Sequence, residues 1–478
     1  MREHLRPKTL PNRMSPWATD DEEREDRRAA VETHLAVLRT QLPDLLCRFA
    51  RIPDPRRPGS VRHQITVLLV YGVLLFAFAM ESRRQANREL SRPGLWAALR
   101  VAFPELDSVP HADTLARLLE KIEPGDIEAV LMARMRALLR RQKLQALLVE
   151  REYVVAVDGE KLWQRTQAFA PEAQHRGEND EARYAVYVVK AALCCPEGVT
   201  LPLAAEFCEN VQVGKDGKVD EEQKQDCEYR ATERLCARLK AAFPRLPILF
   251  VADGLYACVP IAEMCRRNHW DFMVVLKEGK MPALWREANA LHTLDAKWNK
   301  NTLRHTWRKR EQTFWWANDI EHEVWNSKGR RRFVFHVVVC EERWRERRAD
   351  GTEEEKTARH AWVSGKRLDA KNVHKRCNLA ARHRWDIEEE ISAEKHQEHM
   401  THAFSLTWQA IKNWYYLMLI GTLIQTLALY SVHLWRWVLE RGVRGTKQFL
   451  WESYTGAWLD LGRLRRSLER PAQLRLVV

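Results

Sequence analysis

Between Tyr153 and Leu276, short apolar runs alternate with helical patterns, and two of the runs each deliver an aspartate followed by glycine. Tyr153-Val154-Val155-Ala156-Val157 leads into Asp158-Gly159, and Pro247-Ile248-Leu249-Phe250-Val251-Ala252 leads into Asp253-Gly254. Short β-branched apolar runs of this kind read as buried strands. Further strands are expected at Tyr184 to Leu193, Val199 to Phe207 and Phe272 to Leu276. Helices are expected at Glu221 to Ala242 and Val259 to Asn268. Three strands followed by helix, strand, helix and strand make a mixed α/β layer with both aspartates at strand ends.

The flanks have a different character. From about residue 30 to 150 apolar residues recur at helical spacing, in Ala30 to Leu46, Ile65 to Met80, residues 112–121 and Asp126 to Leu148. Asp113 or Thr114 is the expected N-cap of the third of these. The last carries Arg134, Arg136, Arg140, Arg141 and Lys143, either a nucleic-acid surface or an ordinary solvated face. Asp20 to Arg28 reads as a frayed, solvated lead-in. Residues 280–365 hold eight of the 19 Trp, interleaved with Arg308-Lys309-Arg310, Arg330-Arg331-Arg332 and the run from Arg343 to Arg348. Basic and aromatic residues mixed in strand-like runs have the composition of a nucleic-acid surface. Helix returns from about Lys371 to His402 and again through the apolar segment Asn413 to Trp435. The expected units are therefore a helical region at 1–150, a first core part at 151–279 and a β-rich insertion at 280–365. A second core part at 366–440 and a basic tail at 441–478, with Arg463, Arg465 and Arg466, complete the chain.

Charge narrows the partner. Lys and Arg number 78 against 65 Asp and Glu, a formal net charge of +13 that favours a polyanion, either nucleic acid or an anionic membrane face. The apolar run Ile65 to Met80 is a little short for a bilayer. The longer one carries Thr422, Gln425, Thr426, Ser431 and His433, as buried helices of large proteins do, so no membrane span is expected. Ten Cys without a C-x-x-C pair read as reduced thiols of a cytoplasmic protein. His396, His399 and His402, with His383 upstream, lack the Cys partners of a structural zinc site. No glycine-rich nucleotide motif occurs.

The third acidic element is Arg384-Trp385-Asp386-Ile387-Glu388-Glu389-Glu390-Ile391-Ser392-Ala393-Glu394-Lys395. On a helix Arg384 lies about 40° around the axis from Glu388, and Lys395 falls between them. Glu389 and Glu390 are rotated away by about 100° and 200°. One stripe thus presents a carboxylate flanked by two cations. Two strand-end aspartates and a helical glutamate are the carboxylates needed to hold a pair of Mg²⁺ ions for phosphodiester chemistry.

Residues 381–395 resemble the Y-x2-R-x3-E-x6-K signature of bacterial insertion-sequence transposases with a DDE triad, with Arg384, Glu388 and Lys395 at the matching positions. The Tyr position is Ala381, a departure. Val157-Asp158-Gly159-Glu160-Lys161 is similar to the first-Asp strand of that family, and Ala252-Asp253-Gly254-Leu255-Tyr256 to its second. The resemblance covers roughly 150–435, and residues 50–125 also look like the helical segment of these proteins. It implies a ribonuclease-H-like catalytic core with an all-helical N-terminal region, for DNA-end binding or dimerisation, and a β-rich insertion before the Glu helix. Asp158, Asp253 and Glu388 are then the catalytic and metal-binding residues for two Mg²⁺ ions, with Mn²⁺ as a substitute, and Arg384 and Lys395 contact DNA phosphates. The implied partners are double-stranded DNA, at transposon ends and target, and a second copy of the chain on DNA, in the bacterial nucleoid. Two other readings keep the fold: a catalytically silent or domesticated DNA-binding protein, and a nuclease that cuts without strand transfer.

Overall fold

The computed structural model describes residues 15–106, 108–177, 182–196, 198–210, 226–295, 297, 299–326, 329–347, 352–396, 402–456, 460–470 and 472–477. Six helices come first: α1 (Asp20–Phe49), α2 (Ile65–Ala77), α3 (Arg83–Glu89), α4 (Pro93–Ala102), α5 (Ala112–Leu119) and α6 (Pro124–Arg140). Helix α1 starts ten residues earlier than the apolar pattern suggests. The Thr19 hydroxyl accepts the Glu22 N–H at 3.2 Å, and Asp20 to Glu23 sit at the positive end of the dipole. Asp20 to Arg28 is thus the opening of a helix, and the expectation of a frayed lead-in is corrected. At α5 the capping side chain is His111, which accepts the Asp113 N–H at 3.2 Å, instead of Asp113 or Thr114.

The α/β part follows as β1 (Leu148–Val149), β2 (Glu152–Arg165), β3 (Gln174–Arg176), β4 (Arg183–Cys194), β5 (Thr200–Phe207), α7 (Glu228–Ala242), β6 (Ile248–Ala252), α8 (Val259–Asn268) and β7 (Asp271–Val275). The first residues expected of α7 lie outside the described ones. Then come α9 (Pro282–Asp295) and β8 (Thr302–Trp307), β9 (Arg310–Asn326), β10 (Gly329–Arg347) and β11 (Glu353–Ser364). The chain ends in α10 (Arg384–His396), α11 (Trp408–Leu429), α12 (Trp435–Thr455, broken at Gly442) and α13 (Leu461–Leu468).

Among the described residues the strands form one sheet, in the order β3-β4-β2-β6-β7-β11-β10-β9-β8, with β1 beside β2 and β5 beside β4. β6 pairs in parallel with β2 and with β7, and the other pairs are antiparallel. The architecture is mixed α/β: N-terminal helices and a central sheet of mixed direction. Residues 280–365 open with a helix, and their strands extend the central sheet, Trp362 lying opposite Val275 in the β11–β7 ladder. Much of their tryptophan is packing, since Trp315, Trp316 and Trp362 are buried. Trp298 lies outside the described residues.

Asp158 does not sit at a strand end, as the sequence pattern suggests. β2 runs on to Arg165 because its second half stays paired with β4, Asp158 lying opposite Lys190 in that ladder. The apolar stretches at 65–80 and 413–435 become α2 and α11, both buried and packed together. Their backbones approach so closely at Gly421 that a Cβ there would lie 2.9 Å from the Val73 carbonyl oxygen. Among the described residues no helix is long and apolar enough to cross a membrane.

Candidate active site

Strand parity places the aspartates. Tyr153, Val155 and Val157 belong to the core that includes α7 and α11, whereas Val154 and Ala156 pack with Cys377, Ala380, Ile387 and Ile391 on the other face. Side chains alternate along a strand, so Asp158 continues the second set. On β6, Ile248, Phe250 and Ala252 face the first core and Leu249 and Val251 the second, which puts the next residue, Asp253, on the second face too. The parallel register sets Val157 beside Ala252, so Asp158 and Asp253 are the next residues of adjoining strands.

Helix α10 lies over that face. A π-helical turn at Lys375–Ala380 and a tight turn at Ala381–His383 deliver it, and Ile387 and Ile391, one turn apart, anchor it in the second core. Arg384 and Glu388, also one turn apart, form an ion pair. The Arg384 Nη1 lies 4.0 Å from the Asp158 carboxylate. Asp158 accepts the Gly159 N–H at 3.0 Å. Burial, reinforced by the Glu388 and Glu228 carboxylates, pushes the Asp158 carboxyl up to about 7 despite Arg384 beside it. Asp253 accepts the Leu255 N–H at 2.7 Å, capping the turn after β6, and its other oxygen pairs with Lys277 at 3.0 Å. Glu389 is exposed.

Asp253, Lys277, Arg384 and Glu388 line one cleft of about 440 Å³ with Trp285, Arg359, Trp362, Arg382 and Trp385. Its wall is built of paired cations and rings: Arg359 lies 5.4 Å from the Trp285 centroid, Arg382 5.9 Å from Trp362, and Arg384 4.4 Å from Trp385. Trp385 is 57% exposed, while Ala381 at the signature Tyr position is buried beneath the same cleft. Asp158 meets this cleft through Arg384. No group of three or more His, Cys, Asp or Glu among the described residues is drawn close enough to hold a metal ion. The side chain of Lys395, in the last turn of α10, lies outside the described residues, as do those of His396 and His399.

Three participants were not legible as such. Lys277 follows β7, and its only sequence signal is a cation just past the parallel strand next to β6. Arg382 precedes Arg384 by two residues in an otherwise ordinary basic stretch. Glu228, at the start of α7, accepts the Tyr256 hydroxyl at 2.7 Å and the Tyr187 hydroxyl at 3.0 Å and presses against the backbone of Gly159. A Cβ at position 159 would overlap that pinned carboxylate. Gly159→Ala is accordingly expected to cost about 1–3 kcal/mol in urea denaturation, and Gly159→Ala in a Glu228→Ala background distinctly less. Equal costs in the two backgrounds would refute the clash. Part of the basic face of α6 also serves packing, since Arg134 is buried 3.5 Å from Asp44 and Arg136 donates to the Ala242 carbonyl at 3.0 Å.

A family model described as DDE_Tnp_1-associated matches residues 46–135, from the end of α1 into α6. No curated protein matches the chain. The matched segment precedes the strands that carry Asp158 and Asp253, so the comparison links this chain, through its helical N-terminal part, to proteins of the DDE-transposase group.

Proposed function

We propose that the chain is a DNA transposase that cuts transposon ends and joins them to target DNA, acting through Asp158, Asp253 and Glu388. The observation that supports this most is the convergence of Asp158 and Asp253 on one sheet face beneath the helix of Glu388. The order β5-β4-β2-β6-β7, antiparallel on one side of β2 and parallel on the other, supports a ribonuclease-H-like core.

Three carboxylates are the hard oxygen donors that Mg²⁺ takes. Half-buried Asp158 lies near two other acids and shares Arg384 with Glu388, and Asp253 holds Lys277, so the cations stand as surrogates for metal charge. The donor chemistry is that of a divalent-ion site, with Mn²⁺ as a substitute for Mg²⁺, while the three side chains stand too far apart here to close on one ion. Such ions supply an activated attacking oxygen and charge stabilisation at the leaving oxygen. The chain's own groups do the rest. Lys277 and Arg384, released from their carboxylates, reach phosphate oxygens, Lys395 is assigned a further phosphate by the sequence resemblance alone, and Arg382 with Trp362 walls the cleft against water. In this reading the helical region at 1–150 serves DNA-end binding or dimerisation, and two copies hold two ends.

The test uses the purified protein, MgCl₂ and DNA taken from the two flanks of its own gene. Cleavage at short inverted repeats with recovery of joined products is the expected result. Cleavage without joined products would reduce the reading to a nuclease, and DNA binding without cleavage to a silent relative.

A further inference from the structure

The arginines of the C-terminal tail take no part in the catalytic cleft. Arg463 and Arg466 of α13, Arg470 just beyond it and Arg475 line a second cleft of about 970 Å³, with His433 and, from α1, Glu32. The two clefts share no lining residue. This wall is folded, not a loose tail. Asp460 caps α13 through the Arg463 N–H at 3.0 Å, the Val432 N–H donates to the Arg475 carbonyl at 2.7 Å, and the Val477 N–H donates to the Tyr430 carbonyl at 2.9 Å.

Its charge is out of balance. Arg463 is engaged by Glu25 and lies 3.3 Å from Glu32. Arg466, Arg470 and Arg475 are exposed, and among the described residues no carboxylate forms an ion pair with them. Glu469 also lines the cleft. Glu32 is 5% exposed, spends its charge on Arg463 and has one carboxyl oxygen with no hydrogen-bond partner, and burial pushes its carboxyl up. A broad opening rimmed by exposed guanidinia suits a chain of phosphates whose counterions are released on binding. A free nucleotide would call for buried cations or a backbone N–H cradle, whereas Arg466, near the Asp460 carboxylate, Arg470, and Arg475, which donates to Gln473 at 2.9 Å, are solvent-exposed.

We infer that this second cleft holds the phosphate backbone of duplex DNA, away from the catalytic carboxylates. Only the choice of DNA among phosphate ligands rests on the transposase reading. The experiment measures anisotropy of a labelled duplex of about 30 bp and arbitrary sequence against full-length protein, over roughly 50 to 300 mM NaCl. Arg466→Glu/Arg470→Glu is expected to lower affinity about tenfold or more and to reduce the slope of log K against log salt by about two. Arg466→Ala/Arg470→Ala gives the same slope change if charge reversal disturbs α13, with circular dichroism confirming the fold. Glu389→Gln, exposed outside both clefts, should leave the slope unchanged. An unaltered slope in the folded alanine variant would overturn the inference. So would saturable ATP binding that the variant loses while keeping its duplex affinity. A wild type that fails to cleave, yet loses slope on cleft substitution, would sink the catalytic reading and keep the cleft.

Discussion

Glu388→Gln is expected to lower Mg²⁺-dependent cleavage of end DNA by about 10²–10³-fold or more, while Glu389→Gln stays within about twofold of wild type. The two substitutions are chemically identical and one residue apart, so only the helix face separates them. Glu388 is paired with Arg384, lines the cleft with Asp253 and helps push up Asp158. Glu389 is exposed on the neighbouring face. Glutamine keeps the size of glutamate but removes the anion, so on the proposed reading it deletes a hard oxygen donor without opening a cavity. Glu388→Gln also leaves Arg384 with Asp158 as its nearest acid, and the Asp158 carboxyl, relieved of one like charge, should move down from about 7. Duplex binding serves as the control and should be kept by both variants. Equal loss of cleavage in the two would mean that α10 does not present the face assigned to it.

The parts of this arrangement that local pattern could reveal were legible in the sequence. Apolar runs marked the strands, and helical phase put Arg384 with Glu388 before any contact was known. Residues whose role depends on pairing over long range were not. Nothing local distinguishes Glu228 from the other acids around it, because its position is set by two tyrosines, Tyr187 on β4 and Tyr256 after β6. Lys277 matters only because β7 lies beside β6. Asp158 was assigned to a strand end since the apolar run stops there, but continued pairing with β4 carries the strand past it. Arg134 read as part of a basic surface, and burial against Asp44 and Gln41 removes it from that role. The exposed opening acids of α1 looked like frayed sequence because a helix dipole and a threonine cap leave no apolar signal. On β9 and β11 the same interleaving of rings and cations serves packing at Trp315 and Trp316, while Trp362, also buried, contributes to the cleft wall beside Arg382.

The largest stability effect is expected away from the carboxylates, at Glu342 on β10. Its side chain is fully buried, pairs with Arg310 at 3.0 Å and with Arg382, and lies 3.7 Å from His360. Gln312 and Asn378 complete the network by bonding each other at 2.7 Å. Glu342→Ala removes the shared anion and leaves Arg382, only 14% exposed, without it, a change that should cost about 3–5 kcal/mol in denaturant unfolding. Replacing both Glu342 and Arg382 by apolar residues should cost less than the sum of the single changes, by about 1 kcal/mol or more. The pH dependence has a defined sign. Burial alone would raise the Glu342 carboxyl, but the nearby His360 ring, the Gln312 amide, the charge of Arg382 and the Arg310 hydrogen bond outweigh it and hold it down to about 2. In the unfolded chain a glutamate titrates near ~4.3. The stabilisation is therefore complete above that value and disappears as pH falls from it towards 2. Glu342→Gln, which cannot titrate, isolates the effect: its stability deficit against wild type should be largest near neutrality and shrink steadily on acidification. A deficit that stays constant from pH 6 down to the acid limit of the fold would mean that packing, not charge, makes Glu342 matter. Because Arg382 lines the cleft of Asp253 and Glu388, the same network joins the sheet extension to that cleft. Glu342→Ala, assayed at a temperature where it stays folded, should weaken binding of DNA in the cleft, whereas Arg330→Ala on the exposed β9–β10 hairpin should not.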